Sequence, residues 1–139
     1  MNVAIIGCGL IGRKRALSMP PSVNIHTVCD TDVNQGEKLA KEVNANFTSN
    51  YKEIINCEKI DVVIISTPNY LIKEIAIKAL NSQKHVLSEK PLGRNVKEAK
   101  KVLELTERVG LLDGYLENQV FAPSVTNCLL YTSDAADEP

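Results

Sequence analysis

Residues 3–12 read VAIIGCGLIG, and this stretch decides the fold. Its first four residues, Val3–Ile6, form an apolar and mainly β-branched run, which predicts a strand buried on both faces. Gly7, Gly9 and Gly12 follow in the pattern GxGxxG, and a helix is predicted from Leu10 to Ser18. A glycine-rich turn between a strand and a helix is the setting of a dinucleotide-binding loop.

Each glycine of this turn has a separate physical role in such a loop. Gly7 permits the tight turn, Gly9 lets the backbone approach a pyrophosphate, and Gly12 lets the helix pack closely on the strand. The amides at the start of the helix would face the phosphates. The residues expected to bind them are Gly7, Cys8, Gly9, Leu10, Ile11 and Gly12. The alternative is a glycine-rich turn without a ligand.

An acidic residue stands where a ribose-binding carboxylate is needed. Asp30 follows the second predicted strand, Val23–Cys29, eighteen positions after Gly12. A carboxylate there can accept both ribose hydroxyls of an adenosine and repels a 2′-phosphate, so the sequence favours NAD over NADP. Two alternatives stay open: Asp30 could cap the next helix, and Arg13 or Arg15 could reach a 2′-phosphate from the first helix.

Short aliphatic runs alternate with amphipathic helical stretches along the rest of the chain. The remaining strands are predicted at Phe47–Thr48, Asp61–Ser66, His85–Ser88 and Leu111–Leu116. The remaining helices are predicted at Val33–Val43, at Tyr51–Asn56, around Ile72–Leu80 and from Asn95 to Gly110. The buried face of the last helix is predicted to hold Val96, Ala99, Val102, Leu103 and Val109.

This alternation predicts an α/β fold. Short connections between strands and helices require parallel neighbours and right-handed crossovers. We therefore expect a Rossmann-type, doubly wound parallel sheet of order 3-2-1-4-5-6 between two layers of helices, a three-layer αβα arrangement. Ligands of such a sheet bind at the carboxyl ends of the strands, where the order reverses.

Two further polar segments follow strands at that edge. Ser66-Thr67-Pro68-Asn69 follows the fourth strand, where Thr67, Pro68 and Asn69 are expected to line the nicotinamide half of the crevice. Thr67 or Asn69 could instead cap the next helix. Glu89-Lys90-Pro91 follows the fifth strand, and the Lys90 ammonium could hydrogen-bond a substrate hydroxyl or carbonyl near a nicotinamide. The alternative for Lys90 is a solvated lysine.

Composition excludes several function classes. The 139 residues carry 16 Lys and Arg against 17 Asp and Glu, and the basic residues of the last helix lie mostly on its solvated face, so no nucleic-acid partner is expected. No apolar run approaches the ~20 residues of a membrane span, so no membrane partner is expected. The four cysteines show no metal-binding spacing, and we expect a protein of the reducing cytoplasm without a metal.

With GCGLIG, STPN and SEKP in this order, the chain resembles the N-terminal domain of the Gfo/Idh/MocA family, over roughly Asn2 to Val125. The family is named for glucose–fructose oxidoreductase, inositol dehydrogenase and rhizopine catabolism proteins. The resemblance implies a reversible NAD(P)-dependent oxidation of a secondary hydroxyl on a sugar, cyclitol or related polyol. It also implies a homo-oligomer for the full-length protein.

The resemblance assigns roles to residues at the crevice. Glu89 and Lys90 would approach the nicotinamide ribose and the substrate, with Lys90 the candidate catalytic residue. Glu117 and Asn118 could touch cofactor or substrate, and the Lys90–Pro91 bond is often cis in the family. Many members carry a His at about the position of Ile72, so any role of that His is absent from this chain.

Family members also have a second α/β domain, which supplies the substrate pocket and usually the general acid/base. We expect an NAD(P)-binding domain at residues 1–119, the start of a linker at 120–127, and no second domain in the given sequence. Residues 128–138 match the in-frame translation of a transposon adapter used in sequencing libraries, so 128–139 are expected to be non-native. A natural disordered tail is the alternative. Such a fragment would bind cofactor but lack its acid/base.

Other functions share this pattern in part. A stand-alone NAD(H)-binding or redox-sensing module without catalysis is the main alternative. A reductase related to biliverdin reductase or dihydrodipicolinate reductase is a further one, although the TPN and EKP segments speak against the latter. An S-adenosylmethionine methyltransferase also has a glycine-rich first turn, but it lacks the Lys-Pro edge after strand 5.

Overall fold

Six strands make up the sheet in the computed structural model, which describes residues 1–117 and Pro123. They are β1 (Asn2–Ile6), β2 (Asn24–Cys29), β3 (Asn46–Thr48), β4 (Val62–Ile65), β5 (His85–Ser88) and β6 (Asp113–Tyr115). All neighbouring strands pair in parallel, in the order β3-β2-β1-β4-β5-β6. The predicted fold class and strand order are therefore confirmed. The largest difference is in β6, which has three residues where the aliphatic pattern predicts six.

Five helices cover the two faces of this sheet. They are α1 (Leu10–Leu17), α2 (Val33–Val43), α3 (Tyr51–Asn56), α4 (Asn69–Asn81) and α5 (Val96–Val109). Alternate residues of the central strands point to opposite faces. Val3 and Ile5 of β1 pack with α1 and α2, whereas Ala4 and Ile6 share a core with α3, α4 and α5. None of the five helices in this part of the chain has the length and apolar character needed to cross a bilayer.

Backbone hydrogen bonds align the carboxyl ends of the strands. The Gly7 amide donates to the Cys29 carbonyl at 2.8 Å, and the Ser66 amide donates to the Ile6 carbonyl at 2.8 Å. The Glu89 amide donates to the Ile65 carbonyl at 3.0 Å. The segments that follow β1, β2, β4 and β5 are thus held side by side, at one edge of the sheet.

The predicted buried face of α5 is partly wrong. Val102 is buried, but Val96 is 71% exposed and Leu103 is 52% exposed. The helix instead buries Glu98, together with Leu105 and Thr106. The prediction followed apolar residues alone, whereas Glu98 is drawn inward because it accepts hydrogen bonds from Arg94 and Lys73.

Asn95 and Glu98 have the spacing of a capping box at the amino end of α5, and only half of that box forms. Asn95 caps the helix by accepting a hydrogen bond from the Glu98 amide at 3.0 Å. The Glu98 carboxylate reaches the Arg94 amide instead of the Asn95 amide. The hydrogen bonds from Arg94 lower the pKa of Glu98 to about 2.

Residues 120–127 and 128–139, predicted to be a linker and a non-native tail, lie outside the described residues except for Pro123.

Candidate functional site

The glycine turn between β1 and α1 has the backbone that its sequence predicts. Gly7 has a φ of +98°, a conformation that L side chains rarely adopt, and a Cβ there would lie 2.5 Å from the Ser66 carbonyl oxygen. A Cβ at Gly12 would overlap the Gly7 carbonyl oxygen. A Cβ at Gly9 would meet no atom of the described residues within 4 Å. Gly7 and Gly12 are therefore required by the turn and the packing, whereas Gly9 borders open space.

That open space adjoins the amino end of α1. Gly9 is the N-cap residue of the helix, and within residues 1–117 no side chain hydrogen-bonds to the first-turn amides. The first turn carries no acidic residue, and Leu10 and Ile11 are exposed beside it. A helix start with free amides attracts an anion, so the turn offers an anion cradle bordered by glycine backbone and two apolar side chains.

The Asp30 carboxylate lies next to this cradle. It accepts hydrogen bonds from the Cys8 amide at 2.6 Å and from the Asp32 amide at 2.9 Å. The suggestion that Asp30 caps the next helix is wrong, because Asp32 is the N-cap of α2 and accepts from the Gln35 amide. Asp30 instead joins the glycine turn to the start of the β2–α2 loop, and its carboxylate is half-buried.

Cys8 supports this turn through its backbone and its packing. Its side chain is buried, and its thiol donates to the Cys29 carbonyl at 3.4 Å. Burial, together with the nearby charge of Asp30, raises the pKa of the Cys8 thiol to about 12. The thiol therefore stays neutral and does not serve as a nucleophile.

Hydroxyl groups without partners lie at the ends of the two strands on the other side of the crevice. Ser66 and Thr67 follow β4, Ser88 ends β5, and all three hydroxyl oxygens are buried without a hydrogen-bond partner among the described residues. The sequence allowed Thr67 or Asn69 to cap α4, but neither does. Pro68 is the N-cap residue, and it makes no side-chain hydrogen bond. Since buried polar groups are normally paired, these hydroxyls are suited to a polar ligand in the crevice.

Glu89 and Lys90 diverge after β5. Glu89 is buried and forms an ion pair with Arg15 of α1, whose Nε lies 2.5 Å from the Glu89 Oε1. Arg15 also donates through Nη2 to the Leu116 carbonyl at 3.2 Å. Lys90 is exposed at the rim of the crevice, and the peptide bond between Lys90 and Pro91 is cis, as the resemblance implies.

The two arginines of α1 are both engaged, which bears on their suggested contact with a 2′-phosphate. Arg13 pairs with Glu42 of α2, and Arg15 pairs with Glu89. The sequence identified the arginines but gave no signal for these partners, which come from distant segments. It also missed Ser66 and Ser88 as site residues, although both stand at the strand ends where such residues are expected.

The other predicted site residues, Glu117 and Asn118, lie farther along the chain. Glu117 is half-buried just after β6, and its amide donates to the Tyr115 carbonyl at 2.9 Å. Asn118 lies outside the described residues. His26 lies within β2, and His85 begins β5 at the amino edge of the sheet. Neither histidine is at the carboxyl edge.

One concavity among the described residues lies away from the crevice. It measures about 520 Å³ and lies at the amino edge of the sheet. Lys84 lines it and is almost fully buried, with its ammonium donating to the Cys57 carbonyl at 2.7 Å and the Ile60 carbonyl at 2.9 Å. The Lys84 ammonium therefore has a structural role, because it satisfies two backbone carbonyls just after α3. This concavity adds no chemical group to the crevice at the carboxyl edge.

Taken together, the crevice residues fit a dinucleotide. The glycine turn and the start of α1 present amides to an anion, Asp30 presents a carboxylate, and the unpartnered hydroxyls lie at the ends of β4 and β5, on the other side of the switch in strand order. Lys90 adds an ammonium at the rim. These groups can bind and orient a phosphate-linked diol ligand, and a cation beside it can hold a substrate oxygen.

Comparison with known proteins gives the same picture. The family model described as "Oxidoreductase family, NAD-binding Rossmann fold" matches residues 1–113. A 2,7-anhydro-N-acetylneuraminate hydratase of Escherichia coli is 30% identical over 120 residues, covering 85% of this chain and 32% of the relative. A levoglucosan dehydrogenase of Pseudarthrobacter phenanthrenivorans is 31% identical over 150 residues, covering 98% of this chain and 38% of the relative.

A solved structure agrees. The crystal structure of GenD2 from gentamicin A biosynthesis, in complex with NAD, superposes with a TM-score of 0.88 at 26% identity. The match covers 96% of this chain and 39% of GenD2. The chain therefore spans between about a third and two-fifths of the length of these relatives.

Proposed function

The chain belongs to the Gfo/Idh/MocA family of oxidoreductases with an NAD-binding Rossmann fold, and from that membership we propose that its carboxyl-edge crevice binds NAD(H) for a dehydrogenase reaction. The observation that carries the proposal is the open space at Gly9, where the uncapped start of α1 faces outward beside the Asp30 carboxylate. Residues 1–119 form the nucleotide-binding domain in this proposal.

The glycine turn and the first-turn amides of α1 hold the pyrophosphate. Asp30 accepts the hydroxyls of the adenosine ribose, while its existing bonds to the Cys8 and Asp32 amides keep the carboxylate oriented. Thr67, Pro68 and Asn69 line the nicotinamide half, where the unpartnered Thr67 hydroxyl supports a polar contact. When bound, the nicotinamide ring supplies the hydride acceptor or donor.

Lys90 is the candidate catalytic residue of the described part of the chain. Its ammonium, exposed at the rim, would hydrogen-bond the substrate oxygen and favour its ionised form. Glu89 stays paired with Arg15 and so holds the segment that carries Lys90. Glu117, just beyond β6, is proposed to contact the cofactor or substrate. Since neither His26 nor His85 lies at this edge, the general acid/base is proposed to come from outside residues 1–117.

The proposed substrate is a small molecule with a secondary hydroxyl: a sugar, a cyclitol or a related polyol. The names of the two curated relatives above both denote carbohydrate chemistry, which supports this class. Full-length assembly as a homo-oligomer is proposed from the family resemblance. The described cysteines are free thiols, which suits a cytoplasmic protein.

We further propose NAD in preference to NADP. Asp30 would repel a 2′-phosphate, and no Arg or Lys follows it at positions 31–34. Both arginines of α1 are held by carboxylates.

The test is a titration of the purified chain with NADH and with NADPH, by fluorescence. The variant is Asp30→Asn, and the matched control is Asp32→Asn, which removes the same charge two residues away and leaves an N-cap residue in place. We expect Asp30→Asn to weaken NADH binding about tenfold, from lost charge-assisted hydrogen bonds, and to weaken NADPH binding less. Equal changes for both cofactors would contradict the ribose assignment, and no binding of NADH by the unmodified chain would contradict the proposed function.

A further inference from the structure

A small cleft between α1 and α2 adjoins the proposed ribose site. It measures about 150 Å³ and is bordered by the glycine turn at Cys8 and Gly9. Because the Cys8 amide donates to the Asp30 carboxylate, the cleft begins next to that carboxylate. If Asp30 binds the adenosine ribose, as the proposed function requires, a 2′-phosphate on that ribose would approach this cleft.

Two cations border the cleft, one from each helix. Arg13 belongs to α1 and Lys38 to α2. A guanidinium or an ammonium at this position is the type of group that binds the 2′-phosphate of NADP. If Arg13 and Lys38 were the only charged residues at the cleft, it would favour the 2′-phosphate of NADP.

Glu42 changes that expectation because it occupies the Arg13 guanidinium. The two side chains form a two-pronged ion pair, with Arg13 Nε 2.8 Å from Glu42 Oε2 and Arg13 Nη2 2.5 Å from Glu42 Oε1. The Nε–H and one Nη2–H of the guanidinium are thus taken by the carboxylate, and its charge is neutralised by that pairing. The hydrogen bond from Arg13 lowers the pKa of Glu42, and the charge of Lys38 lowers it further, so Glu42 is ionised at neutral pH.

The charges around the cleft therefore balance. Asp30 and Glu42 supply two negative charges, and Arg13 and Lys38 supply two positive charges. A 2′-phosphate, carrying more than one negative charge, would have to displace the Glu42 carboxylate from Arg13 and approach two carboxylates at once.

We propose that Glu42 is a specificity-determining residue, which excludes NADP by holding Arg13 away from the 2′-phosphate. This inference rests on the proposed function and adds to it a second barrier besides Asp30. It also assigns Arg13 a latent role: once Glu42 no longer binds it, its guanidinium becomes a phosphate-binding group.

The experiment measures the dissociation constants of NADH and NADPH for the full chain and three variants. Glu42→Gln removes the charge that holds Arg13. Glu37→Gln is the matched control, since it removes a charge from the same helix at an exposed residue that lines a different concavity, beside Ala45 and Phe47. The double variant Arg13→Ala with Glu42→Gln removes the proposed phosphate-binding group. Because the Arg13–Glu42 pair is solvent-exposed, all variants are expected to keep the fold, which circular dichroism checks.

We expect Glu42→Gln to tighten NADPH binding about tenfold while the NADH constant stays within about twofold. Glu37→Gln should change neither, and the double variant should lose the gain. An unchanged NADPH constant in Glu42→Gln, an equal gain in Glu37→Gln, or a gain that persists without Arg13 would overturn this inference while leaving the proposed function intact. Failure of the unmodified chain to bind NADH would overturn both.

Discussion

Asp113 in β6 offers a quantitative prediction about stability. Its Oδ1 is buried without a hydrogen-bond partner among the described residues, and burial raises the pKa of the carboxyl from 3.8 to about 6. A raised acid pKa means that the folded state binds the proton more tightly than the unfolded chain. Stability should therefore fall as the pH rises from about 4 to about 6, and the loss is complete above that window.

The size of the loss follows from the shift. Two pKa units correspond to about 3 kcal/mol, and we reduce this to about 1–2 kcal/mol because the carboxyl is partly open to solvent. Asp113→Asn replaces the carboxylate by a neutral group of the same shape. It should stabilise the chain by about 1–2 kcal/mol at pH 7.5 and by a few tenths at most at pH 4.

Urea denaturation of the original chain and the variant, at pH 7.5 and at pH 4, measures this difference. Glu104→Gln is the control, because Glu104 is exposed on α5 and its charge should not matter. A variant that is no more stable than the original chain at pH 7.5 would refute the reasoning. So would an equal gain at both pH values, since it would show that shape and not charge is responsible.

Three other substitutions test the turn and the amino edge. Gly9→Ala should keep the stability of the original chain but weaken NADH binding at least tenfold, because the added methyl group fills the anion cradle. Gly12→Ala should lower the urea midpoint of unfolding, because its methyl group overlaps the Gly7 carbonyl. Thermal melts and NADH titrations of the two variants check this, and equal stability of both would contradict it. Lys84→Met should destabilise the chain by about 2–4 kcal/mol, since two carbonyl oxygens lose their donor in a buried setting. Urea denaturation measures that loss, and a change below about 1 kcal/mol would show that water replaces the ammonium.

The sequence predicted those features that depend on local pattern. A parallel sheet follows from the alternation of buried runs such as Val62–Ile65 with helices, because such connections need crossovers of one hand, and the two βαβ-type halves suggested the doubly wound order. The roles of Gly7 and Gly12 follow from backbone sterics, which one residue type satisfies. Backbone sterics act over a few residues, and the handedness of crossovers is common to nearly all parallel sheets. Both can therefore be predicted from a single sequence.

The α5 face shows where this reading fails. Periodicity assigned Leu103 to the core, but the helix is rotated so that Glu98 and Thr106 are buried in its place. A buried acid is acceptable here because Arg94 and Lys73 both reach it. Hydrophobic pattern has no information about such compensation, which depends on a side chain from another helix.

The ion pairs of α1 have the same origin and matter more for function. Arg15 and Glu89 are 74 positions apart, and they meet only because the fold brings α1 close to the segment that follows β5. The pairing explains why two adjacent residues after β5 differ so much: the Glu89 carboxylate is drawn under α1, and the following Lys90 is left exposed at the rim. The family resemblance suggests Glu89 as a cofactor contact. In the structure its ion pair with Arg15 holds the segment that carries Lys90. The helix whose first turn is proposed to hold the pyrophosphate is thus tied by Arg15 to Glu89, the residue next to Lys90, so the proposed cofactor cradle and the proposed substrate-binding lysine are linked by one ion pair.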